Sequence, residues 1–352
     1  MSSPFKCNRI VIAFCLLFFS FCSIFASRIL MALMRFFYNI KEYVKTLLPD
    51  TYYRNRMIGL LANVRQRPDW EYIQDRVNYY NKLKDFMPLP DETLHEHHGH
   101  YYVFLDQLKQ FKLHTFHSAY YYDLMQVGRA FSPDIKIGYV PGDVYFTPAF
   151  PALVKSRRLL PNNQNSVLSK LDSYRHFQFV NDEKPFTEKR DQAIFRGKIR
   201  LSRQRRQFLE MYFGSPVCDC GIVERLEEHP EWTTPRVSIK EHLNYKFIMS
   251  LEGNDVATNL KWVMSSNSIA VMPRPTCETW FMEGRLIPDY HYIALKDDFS
   301  DLEERLHYYA THPDEAQQII HHAHDYVDQF RDEERELIIS LLVMERYLML
   351  TQ

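Results

Sequence analysis

Short apolar runs bounded by turn residues alternate with stretches of helical spacing along most of the chain, and the clearest alternation lies between residues 245 and 292. Phe247, Ile248, Met249 and Leu251 form an apolar run that stops at Gly253, Asn254 and Asp255, residue types that favour turns. Helical spacing opens at Thr258 or Asn259, both good N-caps, and a second apolar run from Ser268 to Pro273 closes the segment. Strand, turn, short helix and strand predict a βαβ unit, which sets a helix N-terminus at the carboxyl end of a strand. Free backbone N–H groups and the helix dipole attract phosphate to such a point, so a phosphorylated ligand is expected there.

The same two periodicities organise the rest. Residues 50–84 read as helix with a break near Pro68, residues 101–105 and 135–140 as strands, and residues 120–130 as a helix between them. Residues 181–191 are polar, charged and broken by Pro185, the composition of a linker. Beyond it come a strand at 193–195, a helix from Ser202, a strand near Val217, the βαβ unit and a strand at 292–295. From Asp301 the spacing is helical, over 303–310, 315–330 and 333–348. This order predicts two α/β domains with a cleft between them, residues 49–185 and 186–352, after an N-terminal stretch of residues 1–48.

That N-terminal stretch begins with seventeen uncharged residues, 10–26, at the short end for crossing a bilayer. Three readings fit it: an uncleaved anchor, a signal peptide ending in small residues near Ser27, or sequence upstream of a later start at Met31 or Met34. Positive charge is denser after it (Arg28, Arg35, Lys41, Lys45) than before it (Lys6, Arg9), which puts the globular part on the cytoplasmic side. Residues 29–48 continue as a basic, aromatic, amphipathic stretch, suited either to a membrane surface or to packing on the core as a first helix.

Composition narrows the classes. A length of 352 residues fits two ordinary domains, and a formal net charge of −1 gives no basic field for nucleic acid. Aromatic residues reach 15%, which serves core packing and also sugar-handling clefts. Of six cysteines, Cys7, Cys15 and Cys22 belong to the apolar N-terminus; Cys218, Cys220 and Cys277 are too few for a disulfide framework.

A second constellation of chemistry runs from Ile194 to Arg206. A strand exits into Arg196 and Gly197, a basic loop follows, and Ser202 is placed to cap a helix carrying Arg203, Arg205 and Arg206. Glycine permits close backbone approach and arginine forks match phosphate oxygens; the competing reading is a solvated basic helix face. Other candidates are weaker. The histidines between His95 and His100 resemble a metal tract but lie in a polar stretch read as a surface loop. Cys218 and Cys220 have the wrong spacing for structural zinc, and the late histidines His321, His322 and His324 read as solvated. Glu283 is placed either to meet a ribose or to sit on the surface.

Three spaced blocks carry a family resemblance. Phe195, Arg196 and Gly197 followed by a basic helix resemble the phosphate-side motif of glycosyltransferase family 90. Tyr245, Lys246, Phe247, Gly253, Lys261 and Ser268 resemble its central motif, and Trp280, Phe281, Leu286, Pro288, His291 and Ile293 its third block. The stretch from Glu252 to Asn259 is most similar to the bacterial lipopolysaccharide branch of that family, which also includes protein O-glucosyltransferases and capsule xylosyltransferases.

The resemblance implies a GT-B fold, two Rossmann-like domains facing a cleft, with the acceptor side largely N-terminal and the nucleotide-sugar side largely C-terminal. It implies inverting transfer from a UDP-sugar with no cofactor and no obligatory metal. Donor contacts would come from Arg196, Gly197, Arg203, Arg206, Gly253, Asn254, Asp255, Asn259 and Lys261. Where eukaryotic members carry an arginine, this chain has Asn259, so phosphate contacts would shift to Lys261 or to the arginines of residues 196–206. The general base falls on Asp143, in the Pro141, Gly142, Asp143 turn after a strand; a plain turn residue is the competing reading. Asp255 is the second candidate, as a capping or loop-ordering group.

The expected protein is therefore a membrane-associated glycosyltransferase, cytoplasmic in its catalytic part, on a bacterial inner membrane. It would move a hexose to a glycan or glycolipid such as a lipopolysaccharide core. Transfer to a protein or capsule acceptor, and a non-catalytic sugar-nucleotide or glycan binder, are the rival readings.

Overall fold

The computed structural model describes residues 38–352 apart from 39, 46, 91–94, 98–99, 105–117 and 200–201. The apolar segment 10–26 and the first part of the amphipathic stretch lie outside the described residues. No helix among the described residues is long and apolar enough to cross a membrane.

Before Pro185 come strands β1 (His95–His97), β2 (His100–Phe104), β3 (Lys136–Val140), β4 (Ala152–Val154), β5 (Ser156–Arg158) and β6 (Ser166–Leu168). After it come β7 (Arg190–Gly197), β8 (Cys218–Ile222), β9 (Tyr245–Met249), β10 (Ile269–Pro273), β11 (Cys277–Thr279) and β12 (Ile293–Leu295). The helices are α1 (Asp50–Leu61), α2 (Trp70–Tyr80), α3 (Ser118–Gly128), α4 (Ser173–His176), α5 (Arg203–Tyr212), α6 (Ile239–His242), α7 (Leu260–Met264), α8 (Leu302–Thr311), α9 (Pro313–Asp328) and α10 (Glu333–Thr351).

Two five-stranded sheets result. The first, in the order β1-β2-β3-β4-β6, is antiparallel at its start and parallel from β3 onward. The second, β12-β10-β9-β7-β8, is parallel throughout, with Phe247 opposite both Ala193 and Ile269. Its strands are apolar on both faces because both faces are covered. Ile194, Ile248 and Met272 point into a core shared with the first sheet and α10, whereas Phe195, Phe247 and Val271 point into a second core under α5 and α8. The mixed α/β fold with parallel sheets expected from periodicity is thus present.

Several elements differ from expectation. His95–His97 and the residues from His100 are antiparallel strands, β1 and β2, rather than a loop. Residues 181–191 do lead from the first sheet to the second but are fastened: Lys189 Nζ reaches Asp182 Oδ2 at 2.6 Å, Asn267 N donates to the same oxygen, and Phe186 packs on Phe247. His322 stacks on Tyr290 and His324 Nε2 meets the Ser266 carbonyl at 2.9 Å, so these two are half-buried and partnered rather than fully solvated.

The two sheets are joined by buried charge. Strand β5 pairs antiparallel with β11, setting Arg157 opposite Glu278. Arg157 Nε contacts Glu278 Oε1 at 2.7 Å, and its other nitrogens donate to the carbonyls of Tyr79, Tyr80 and Ser166. The terminal helix α10 returns across the first sheet: Glu336 binds Arg76 and accepts from Trp280 Nε1 at 2.6 Å, while the Tyr347 hydroxyl meets Pro151 O and Gly138 N. Removing one partner of a buried ion pair leaves the other uncompensated, at about 3–5 kcal/mol. Glu278→Ala is expected to lower unfolding stability by roughly that amount in denaturant titration, with Arg157 as the stranded charge.

Candidate active site

The loop after β3 and the loop after β9 meet at one point. Gly142 takes a positive φ of 98°, which a side chain would resist, and this turn lifts Asp143 off the end of β3. Asp143 Oδ1 lies 2.7 Å from Lys155 Nζ, and Oδ2 accepts from Asn254 Nδ2 at 3.2 Å. Lys155 Nζ also reaches Asp255 Oδ2 at 2.7 Å, and Ser156 Oγ donates to that same oxygen. Lys155 and Asp255 are buried, while the Asp143 side chain is 33% exposed. Burial raises the proton affinity of Asp143, but the Lys155 charge and the hydrogen bonds from Lys155 and Asn254 outweigh it and hold the carboxyl below its usual range. Asp143 is therefore a partly open, ionised carboxylate facing the turn of the βαβ unit.

Three of the expected donor residues, Gly253, Asn254 and Asp255, form that turn, closed by a 2.9 Å bond from Gly253 N to Asp255 O. Asn259 precedes α7, but its side chain donates to Met249 O at 3.0 Å instead of capping, and α7 is only five residues long. Lys261 is fully buried and bonded to Glu283 Oε1 at 2.5 Å. Glu283, read from sequence as a surface or ribose-facing residue, is buried, held by Lys261 and by Thr279 N at 2.6 Å.

The arginines divide. Arg196 turns to Asp219, contacting Oδ1 at 2.6 Å and the Asp219 carbonyl at 2.7 Å. Arg206 pairs with Glu228 on the surface, and Arg203 is exposed at the start of α5. Ser202 caps α5 as expected, accepting from Arg205 N, and its hydroxyl donates to Glu252 O at 2.8 Å. Arg205 proves central: it donates to Leu251 O and Lys198 O, the exits of β9 and β7. A Cβ at Gly253 would come within 3.1 Å of its guanidinium, a tight contact that the arginine would have to yield to. A Cβ at Gly197 would meet the Phe195 ring at 2.8 Å.

Between these loops a small cleft is lined by Gln204, Ser250, Glu252, Ala257, Met272 and Glu283. Ser250 Oγ is buried there without a hydrogen-bond partner, and Glu252 binds Thr276 N, Thr276 Oγ1 and Cys277 N. A cleft at the carboxyl ends of parallel strands is where α/β sheets bind ligands.

The model of glycosyl transferase family 90 matches residues 171–345. O-glucosyltransferase LpsA of Dichelobacter nodosus is 39% identical over 324 residues, covering 90% of this chain and 98% of that protein. The chain belongs to glycosyl transferase family 90. It is a glycosyltransferase, with a sugar donor and a glycan acceptor. The family match takes in the whole second sheet and starts beyond Asp143 and Lys155, whereas the relative aligns over nearly the entire chain.

Among the described residues of this glycosyltransferase no three His, Cys, Asp or Glu side chains converge at metal-binding spacing. Cys218, Cys220 and Cys277 are free and buried. Sequence reading passed over Lys155, Ser156 and Gln204, and gave Arg205 no role of its own. The one available signal for Lys155 was a single charge directly after the apolar run Ala152, Leu153, Val154. Because Arg205 bonds both strand exits, Arg205→Ala is expected to keep the fold while speeding amide hydrogen exchange severalfold in residues 251–255. Exchange mass spectrometry checks this, and unchanged rates would remove Arg205 as the loop's tie.

Proposed function

We propose that this glycosyltransferase moves glucose from a UDP-sugar to a hydroxyl of a lipopolysaccharide core glycan, with inversion at the anomeric carbon. The observation that carries the reading is Asp143, an ionised, partly open carboxylate hydrogen-bonded to the Asn254 turn at the carboxyl end of the second sheet. The relative's identity as an O-glucosyltransferase supports glucose as the sugar. Two five-stranded sheets whose loops meet at Asp143 and Asn254 support a GT-B arrangement.

In this reading Asp143 takes the proton of the acceptor hydroxyl as its oxygen attacks the anomeric carbon. The bond from that carbon to the diphosphate oxygen breaks on the opposite face, and UDP leaves with the electron pair. Backbone N–H groups of the loop from Asn254 to Asn259 and the exposed Arg203 would meet its charge, without a metal. The expected outcome is UDP release from UDP-glucose that depends on a core glycan, survives EDTA, and falls at least a hundredfold in Asp143→Asn with UDP affinity within a few-fold (general-base terms being worth about 10²–10⁴). Near-normal turnover of Asp143→Asn removes it as the base; loss of activity in EDTA restored by Mn²⁺ removes the metal-free reading. Faster turnover on a protein or capsule acceptor reassigns the acceptor.

A membrane-borne acceptor also gives the N-terminal region a role. Ile40, Tyr43, Val44, Leu47 and Leu48 are exposed together, flanked by Lys41 and Lys45, and the uncharged residues 10–26 precede them. This is the pattern of an interfacial helix on an anionic bilayer, and it supports a catalytic part held at the cytoplasmic face of the inner membrane. The double change Lys41→Glu, Lys45→Glu is expected to weaken binding to anionic vesicles by roughly tenfold or more, at about 1 kcal/mol per basic residue. Equal flotation of both proteins with anionic and neutral vesicles would sink the electrostatic part.

A further inference from the structure

Lys155 is an unusual residue for this site, because it touches neither the cleft surface nor the solvent. It is 2% exposed and follows an apolar strand, yet its ammonium bonds a carboxylate from each of two loops in different sheets, both at 2.7 Å. We infer that Lys155 is a positioning residue that registers the acceptor-side carboxylate Asp143 against the donor-side turn 253–255. The inference rests on Asp143 being the base, as proposed above.

The surroundings define the charge balance. The loop after β3 contributes Asp143, and the loop after β9 contributes Asp255 with Asn254 beside it. Helix α3 contributes Tyr120, whose phenol burial keeps neutral; the segment around α4 contributes Asp172, Arg175 and the buried His176. Asp172 and Arg175 pair with each other at 3.0 Å, and burial together with the Lys155 charge keeps His176 neutral. In direct contact with both carboxylates is one shared ammonium, with Arg175 a second cation acting on both, and Asp143 is the carboxylate that is partly exposed.

That sharing matters during transfer. In a simple lysine–aspartate pair, protonating the aspartate would strand a buried cation, which is costly. Here, when Asp143 accepts the acceptor proton, Lys155 keeps Asp255, and the repulsion between two carboxylates on one cation is relieved. Asp255 thereby acts as the standing counter-ion, and any shift of the turn that carries it is felt at Asp143 through Lys155 and through Asn254.

The two partners act on Asp143 with opposite signs, which gives a test that a merely structural role would not pass. Without Lys155, Asp143 loses its cation and faces Asp255, so it binds its proton more tightly. Without the charge of Asp255, Lys155 serves Asp143 alone, so the proton is bound less tightly. In the full-length protein with UDP-glucose and core glycan, the acid limb of the kcat–pH profile is expected about one pH unit or more higher in Lys155→Met and lower in Asp255→Asn. Donor KM is expected to stay within a few-fold in Lys155→Met while kcat falls at least tenfold, and Lys155→Arg to recover part of that loss. Limbs that stay in place, or move in the same direction, in variants melting as cooperatively as the parent would overturn the proposal. If Lys155→Met does not fold, Asp255→Asn decides: a limb at or above that of the parent overturns it. Undiminished turnover of Asp143→Asn instead brings down the base assignment itself, a different result from unmoved limbs with an inactive Asp143→Asn.

Discussion

A cation cannot be buried alone, and this fold is organised around that constraint. Lys155, Ser156 and Arg157 are consecutive, and each binds a carboxylate from the other half of the chain: Asp255, Asp255 and Glu278. Desolvating two full charges costs several kcal/mol per ion unless the geometry is close and the remaining donors are met. The short β5–β11 pairing, the backbone carbonyls around Arg157 and the turn at Asp255 supply those partners. The junction between the two sheets is thus fixed where these three residues sit, and the loops carrying Asp143 and Asn254 are held at hydrogen-bond distance from each other.

The second sheet was legible in the sequence because its strands are apolar runs ended by strong turn residues. The βαβ unit at residues 245–273 reads directly off Phe247 to Leu251, Gly253 to Asp255 and Ile269 to Met272, and the parallel pairing of β9 with β10 follows. The long terminal helices read equally well from their spacing. Strands β4, β5, β6 and β11 did not: each is three residues long, too short to display a period, although β12, equally short, was read from its apolar run. Strand β2 was read as residues 101–105, whereas β1 was hidden by histidines, whose polarity imitates a loop.

The site was legible by residue and opaque by partner. Asp143 was named through the family resemblance, Asn254 and Asp255 from their turn, and the two loops do converge. Nothing local in the chain reveals that Lys155 joins them, since that contact spans 12 residues in one direction and 100 in the other. Buried charge misled the reading elsewhere: Lys261, Glu283 and Arg196 look like free binding groups in a sequence, yet each is bonded to a protein partner. Their contribution at the cleft is to hold the backbone that faces it. Arg205 does this most directly, by tying the carbonyls at the exits of β7 and β9.

Stability alone is a poor reason for a polar junction of this kind. Well-packed apolar residues of similar volume usually match or exceed a buried ion pair in stability. Charge offers something apolar packing does not, a fixed register between particular atoms. At Arg157 and Glu278 that register aligns two strands, which has no chemical consequence. At Lys155 it sets the distance between a carboxylate able to take a proton and the turn where a phosphorylated leaving group is expected. An inverting displacement requires the nucleophile, the anomeric carbon and the leaving oxygen to lie nearly in line, and misplacement of the order of 1 Å is expensive. On the proposed reading, the cost of burying Lys155 is met by that alignment, because Lys155 bonds a carboxylate from each of two loops that belong to different sheets.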